Sequence, residues 1–129
     1  MRISTLALAG AFALAATAAQ ADDPMAGTYA NTVTSTNAKT HETASLFFNA
    51  DGSYSVKAMT ADGKAVGYPG RWALKDGGAT ICLMPTIPPN TPNAPKPSCS
   101  PLQKHGVGDS WNVTDDQGDT FAVSISAGR

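Results

Sequence analysis

Three Asp-Gly pairs, Asp51-Gly52, Asp62-Gly63 and Asp76-Gly77, punctuate the stretch from Leu46 to Leu83 at spacings of 11 and 14 residues. A tight hairpin turn needs positive φ, which Gly adopts freely and Asp tolerates. The runs between the pairs alternate apolar with polar residues, so one row of side chains on each strand faces a dry side and the next row a wet one. Turns at this spacing, joined to that alternation, predict an antiparallel β-meander.

Taken in order, Gly27-Thr28-Tyr29 opens a first strand that runs through the β-branched stretch to Thr36, after the short lead-in Asp22 to Ala26. A second strand covers about Glu42 to Asn49, with Ala44, Leu46 and Phe48 on one face and Phe47 on the other. Tyr54, Val56 and Ala58 line the third. Gly67-Tyr68-Pro69-Gly70 is expected to interrupt the fourth, because Pro suits a sheet edge or a bulge. Trp72 and Leu74 resume the inward row, and Ile81 and Leu83 continue it beyond the third turn. Leu102 and Val107 mark a weak strand, and Ser110–Thr114 with Thr120–Ser126 a closing hairpin that sets Trp111 and Val113 against Phe121, Val123 and Ile125. Seven or eight strands result. An open sheet of that size with an apolar face leaves two adhesive edges, so closure into a barrel is expected.

The texture changes between Cys82 and Cys99, where 16 residues carry six prolines. Pro fixes φ and donates no backbone hydrogen bond, so residues 84–98 are expected to form an extended loop outside the sheet. The N-terminal stretch explains why the cysteines should be bridged. Arg2, an apolar run from Ile3 to Ala18 and the small-x-small site Ala19-Gln20-Ala21 read as an export signal over residues 1–21. The run is shorter than the ~20 residues of a membrane span. One domain, residues 22–129, is then expected in the periplasm or outside the cell, with no membrane span of its own. Two cysteines in an exported chain predict a Cys82–Cys99 disulfide, contributing roughly 3 kcal/mol for a loop of this size.

Residues 22–129 carry eight Lys and Arg against ten Asp and Glu, and no basic run of even three residues. That disfavours a nucleic-acid surface. Neither a cofactor motif nor a metal-ligand spacing is present. His41 and His105 lie in polar, turn-like contexts and read as solvated. Asp115, Asp116 and Asp119 lack the spacing of a calcium loop. Gly108-Asp109-Ser110-Trp111 resembles the nucleophile block of Gly-Asp-Ser-Leu hydrolases, but it precedes a β-hairpin and lacks the distal Asp-x-x-His that those enzymes use. No catalytic residues are assigned, and the chain is not expected to be an enzyme.

Two resemblances frame the function. Gly27-Thr28-Tyr29 is similar to the Gly-x-Trp that opens lipocalins, and the Asp-Gly meander resembles small calycin-like barrels exported by bacteria. That resemblance implies a binding module for a small apolar ligand, with Tyr29, Phe48, Tyr54, Trp72, Trp111 and Phe121 as ligand-facing or core side chains. Alternatively, Thr86-Ile87-Pro88-Pro89 resembles the Ser-Ile-Pro-Pro segment of Bowman–Birk-type inhibitory loops. The size, export signal and single disulfide also resemble small periplasmic metalloprotease inhibitors, which act through an N-terminal trunk. Those likenesses imply a protein partner met by the Pro-rich loop or by the N-terminal segment.

Overall fold

The computed structural model describes residues 23–60 and 62–129, so the export signal expected over 1–21 lies outside the described residues. Eight strands follow in order: β1 (Thr32–Asn37), β2 (Thr43–Phe48), β3 (Ser53–Met59), β4 (Ala65–Lys75), β5 (Thr80–Pro85), β6 (Ser98–Pro101), β7 (Ser110–Thr114) and β8 (Thr120–Ser126). All pair antiparallel in one sheet, in the order β6-β5-β4-β3-β2-β1-β8-β7, which curls into a nearly closed barrel. Among the described residues the only helical element is a single 3₁₀ turn at Asp76–Gly78.

The three Asp-Gly pairs fall in the β2–β3, β3–β4 and β4–β5 connections. In the last of these both Asp76 (φ 56°) and Gly77 (φ 68°) are left-handed, the conformation the dipeptide was expected to supply. Inward rows follow the alternation. Phe48 sits opposite Tyr54, Trp72 opposite Leu83, Trp111 opposite Val123 and Val113 opposite Phe121. The buried core comprises Met25, Val33, Phe48, Tyr54, Val56, Ile81, Val123 and Ile125. Gly70 lies directly across from Tyr54, and a Cβ there would run into the tyrosine ring. The missing side chain is therefore the seat of that ring.

Three expectations are corrected. The first strand starts at Thr32 rather than at Tyr29, and residues 24–30 fold into consecutive turns. Asp23 and Asn31 hold these turns. Asp23 accepts the Met25 N–H at 2.9 Å, and the Asn31 amide donates to the Gly27 carbonyl at 3.0 Å. β4 is also continuous through Pro69, which pairs with Ser55 in the middle of the sheet. The Pro69 carbonyl accepts the Thr86 N–H at 2.9 Å, so its missing donor faces the chain just past the end of β5, where only one ladder bond is lost. Finally, Leu102 and Val107 form no strand. The sixth strand lies upstream, because register with Cys82 sets Ser98–Pro101 beside β5. The proline-dense loop is accordingly 86–97, with Met84, Pro85 and Ser98 drawn into strands.

Phe47, expected on the outer face, lies between two cations: the Lys57 ammonium is 5.9 Å and the Arg129 guanidinium 5.7 Å from its ring centre. Arg129 also donates to the Asn49 side chain at 2.9 Å and to the Phe48 carbonyl, which fastens the chain end to β2.

Candidate functional site

Antiparallel pairing sorts the connections onto two ends of the barrel. The base carries the N-terminal turns, the Asp51 and Asp76 turns and the segment 102–109. At the rim lie the turns 38–42, 60–64 and 115–119 and the proline-dense loop.

The base is plugged. Met25, at 1% exposure, is the most deeply buried large side chain, and it rises into the barrel from what the sequence presents as a lead-in. Tyr29 packs against Trp72 with ring centres 6.3 Å apart and donates its hydroxyl to Asp23 at 3.1 Å. Burial and that carboxylate raise the Tyr29 phenol to about 12. The Trp72 indole N–H is shared between the carbonyls of Asn49 (3.0 Å) and Ser53 (3.1 Å), locking the β2–β3 turn beneath the ring. Gly27 backs directly onto the His105 carbonyl, leaving no room for a Cβ. His105 itself is stacked on Trp111, with ring centres 3.6 Å apart and planes 5° from parallel, so it is packed rather than solvated as expected. Its Nδ1 lies 3.6 Å from an Asp109 carboxylate oxygen. His41, by contrast, is an exposed left-handed turn residue.

Above the plug the barrel is hollow. A cavity of about 600 Å³ runs from Met25 to the rim. Val33, Leu46, Phe48, Tyr54, Leu83, Trp111, Val113 and Phe121 line it, and the area of its wall is mostly apolar. Most of its exposed lining is at the rim, where Pro95 and Lys96 of the loop face Gln117 and Asp119 of the β7–β8 turn; exposed Pro101 adds to it at the lower end of β6. Leu46, Leu83, Trp111, Val113 and Phe121 point inward yet remain only half-buried, because the opposite wall does not reach them. Burial pushes the Tyr54 and Tyr68 phenols upward, so both stay neutral donors at the cavity wall.

The six aromatics singled out from sequence thus divide by place. Phe48, Tyr54, Trp111 and Phe121 line the cavity, while Tyr29 and Trp72 cap the base. Met25 and Tyr68 were missed as lining residues: Met25 precedes any strand, and Tyr68 sits in the Gly-Tyr-Pro-Gly run that masks its strand. Among the described residues no group of three or more His, Cys, Asp or Glu is placed to hold a metal ion.

The sulfurs of Cys82 and Cys99 are 2.08 Å apart in a disulfide that joins directly opposed residues of β5 and β6. In the loop above it, Thr86, Pro88 and Pro89 are exposed and Ile87 is half-buried, on the rim but outside the cavity lining. No known protein family, characterised protein or solved structure matches the chain.

Proposed function

We propose that this chain is an exported, lipocalin-like binding module that holds a small apolar or amphipathic ligand inside its barrel. The observation that carries the reading is the interior: an apolar-walled cavity of about 600 Å³ with Met25 at its base and most of its exposed lining at the rim. That volume falls within the ~300–1,000 Å³ typical of small-molecule sites. Inward apolar side chains left half-exposed are a cost in a protein of this size unless something covers them. The charged and amide side chains of the lining, Lys96, Asp115, Gln117 and Asp119, stand at the mouth. Deeper in, the side-chain polar groups are Ser, Thr and Tyr hydroxyls, which suits a ligand whose charged or strongly polar end stays near water.

Titration with N-phenyl-1-naphthylamine, a neutral fluorophore that brightens in apolar surroundings, tests the reading. Saturable one-to-one binding in the micromolar range is expected, with displacement by fatty acids, haem or other aromatic ligands identifying the class. Narrowing the cavity with Val113→Trp should weaken binding without lowering the melting temperature. A flat titration removes the proposal.

A second reading, recognition of a protein partner, draws support from the rim loop, whose residues 88–93 are all exposed. The N-terminal route to such a partner is less favoured, since Met25 is consumed in the core. Replacing 88–93 by Gly-Ser and measuring loss of a co-purifying partner, with fluorophore binding unchanged, would favour it over ligand carriage.

A further inference from the structure

We infer that β6 and the proline-dense loop before it form a hinged flap over the cavity, moored to β5 by the cystine and latched to the opposite wall by Asp116 and Gln117. The inference rests on the apolar-ligand reading above and concerns how that ligand enters and leaves.

Around the barrel every neighbouring pair of strands is joined by a ladder except β6 and β7. The bonds seen across that gap come from one turn. Asp116 donates its backbone N–H to the Cys99 carbonyl at 2.9 Å, and its carboxylate accepts the Cys99 N–H at 2.9 Å. One aspartate thereby supplies both halves of an antiparallel pair. The Gln117 amide adds a longer bond to the Pro97 carbonyl at 3.4 Å. Toward the base, Pro101 ends β6 with no N–H to offer, which prevents the gap from zipping further.

The gap is also the wall of the cavity. Ser98 and Ser100 on the flap, and Trp111 and Val113 across from them, all line the same space. Serine side chains are too short to fill it, so the flap buries little apolar surface and is held mainly by polar contacts. Asp116 and Gln117 are exposed, so water competes for their bonds, the mark of an element that opens locally at low cost. The other edge of the flap behaves differently. Cys99 is crosslinked to its direct partner Cys82, so opening at β7 swings the flap about β5 without releasing it. The prolines between Thr86 and Pro97 stiffen the segment that must move with it.

The test compares the oxidised protein with the double variant D116A/Q117A and with Q117A alone, an exposed single change that keeps the Asp116 pair. Two readouts are taken: stopped-flow release of bound N-phenyl-1-naphthylamine, and hydrogen exchange of the backbone amide at position 116. That amide keeps its Cys99 carbonyl partner in every variant. Loss of the two side-chain bonds should speed both release and exchange about tenfold. Q117A should give a smaller rise in each, and β1–β8 amides should exchange as before. Release or exchange left at the unsubstituted level overturns the flap. If the unsubstituted protein shows no saturable binding, the ligand reading falls instead, and exchange at position 116 decides the flap by itself.

Discussion

The barrel is joined twice between strands distant in sequence or left unzipped by their own connection, and the two joints are built differently. Where β1 meets β8, six residue pairs from Thr32–Ser126 to Asn37–Phe121 form a continuous ladder, with Val33 and Ile125 buried beneath it. At the β6–β7 joint, one aspartate and one glutamine stand in for a ladder. The first joint uses backbone bonds backed by buried apolar surface, which water cannot easily replace. Exposed side-chain bonds beside a hollow make up the second. The same sheet is therefore sealed for good on one side and fastened lightly on the other, and the light fastening lies over the cavity.

Truncating each joint's apolar support should expose the contrast most strongly. Ile125→Ala at the sealed joint should cost about 3–4 kcal/mol by denaturant unfolding, as for other fully buried isoleucines. Val113→Ala beside the hollow should cost less than about 1 kcal/mol, because the removed methyls face space already empty. Equal losses would contradict the comparison. Removing the cystine with Cys82→Ala/Cys99→Ala should lower stability by about 3 kcal/mol. Hydrogen exchange should then rise first over 86–101, with the β1–β8 amides still protected. Uniform loss of protection would show that the light side is not an independent unit.

Gly70→Ala tests the wall of the cavity. The added Cβ runs into the Tyr54 ring, so a loss of about 2 kcal/mol is expected, with the near-ultraviolet tyrosine signal altered. The smallest effect is alkaline. Burial raises the Tyr54 phenol above its unfolded value near 10, and Tyr68 shifts in the same direction. A neutral phenol is favoured in the folded state, so this contribution is complete below the unfolded pKa and is lost as pH rises toward the folded one. The melting temperature should fall as pH rises past about 10, and Tyr54→Phe should flatten that fall.

Much of the barrel is legible in the sequence because hairpin chemistry is local. Asp-Gly fixes a turn wherever it occurs, and alternation then assigns every inward row. The cystine adds the one long-range register that composition can supply. What escaped is non-local or depends on neighbours. Met25 carries no periodic signal, and only the packed base shows why a lone methionine before the first strand becomes the most buried side chain. Pro69 reads as an interruption until the end of β5 is seen opposite it. Alternation likewise says which aromatics face inward but not how fully each is covered, so Phe48, buried at the cavity wall, and Trp111, left half-buried there, look alike in sequence. Nor does any motif mark Asp116, whose partner is a backbone group 17 residues earlier.

Amide chemical-shift mapping of the labelled protein during addition of N-phenyl-1-naphthylamine tests the central claim most directly. Saturable shifts gathered at Leu83, Trp111, Val113 and Phe121, with the outer faces of β1 and β8 unmoved, are the result expected of a hollow interior that takes an apolar guest. Shifts confined to the outer surface, or none at all, would contradict it.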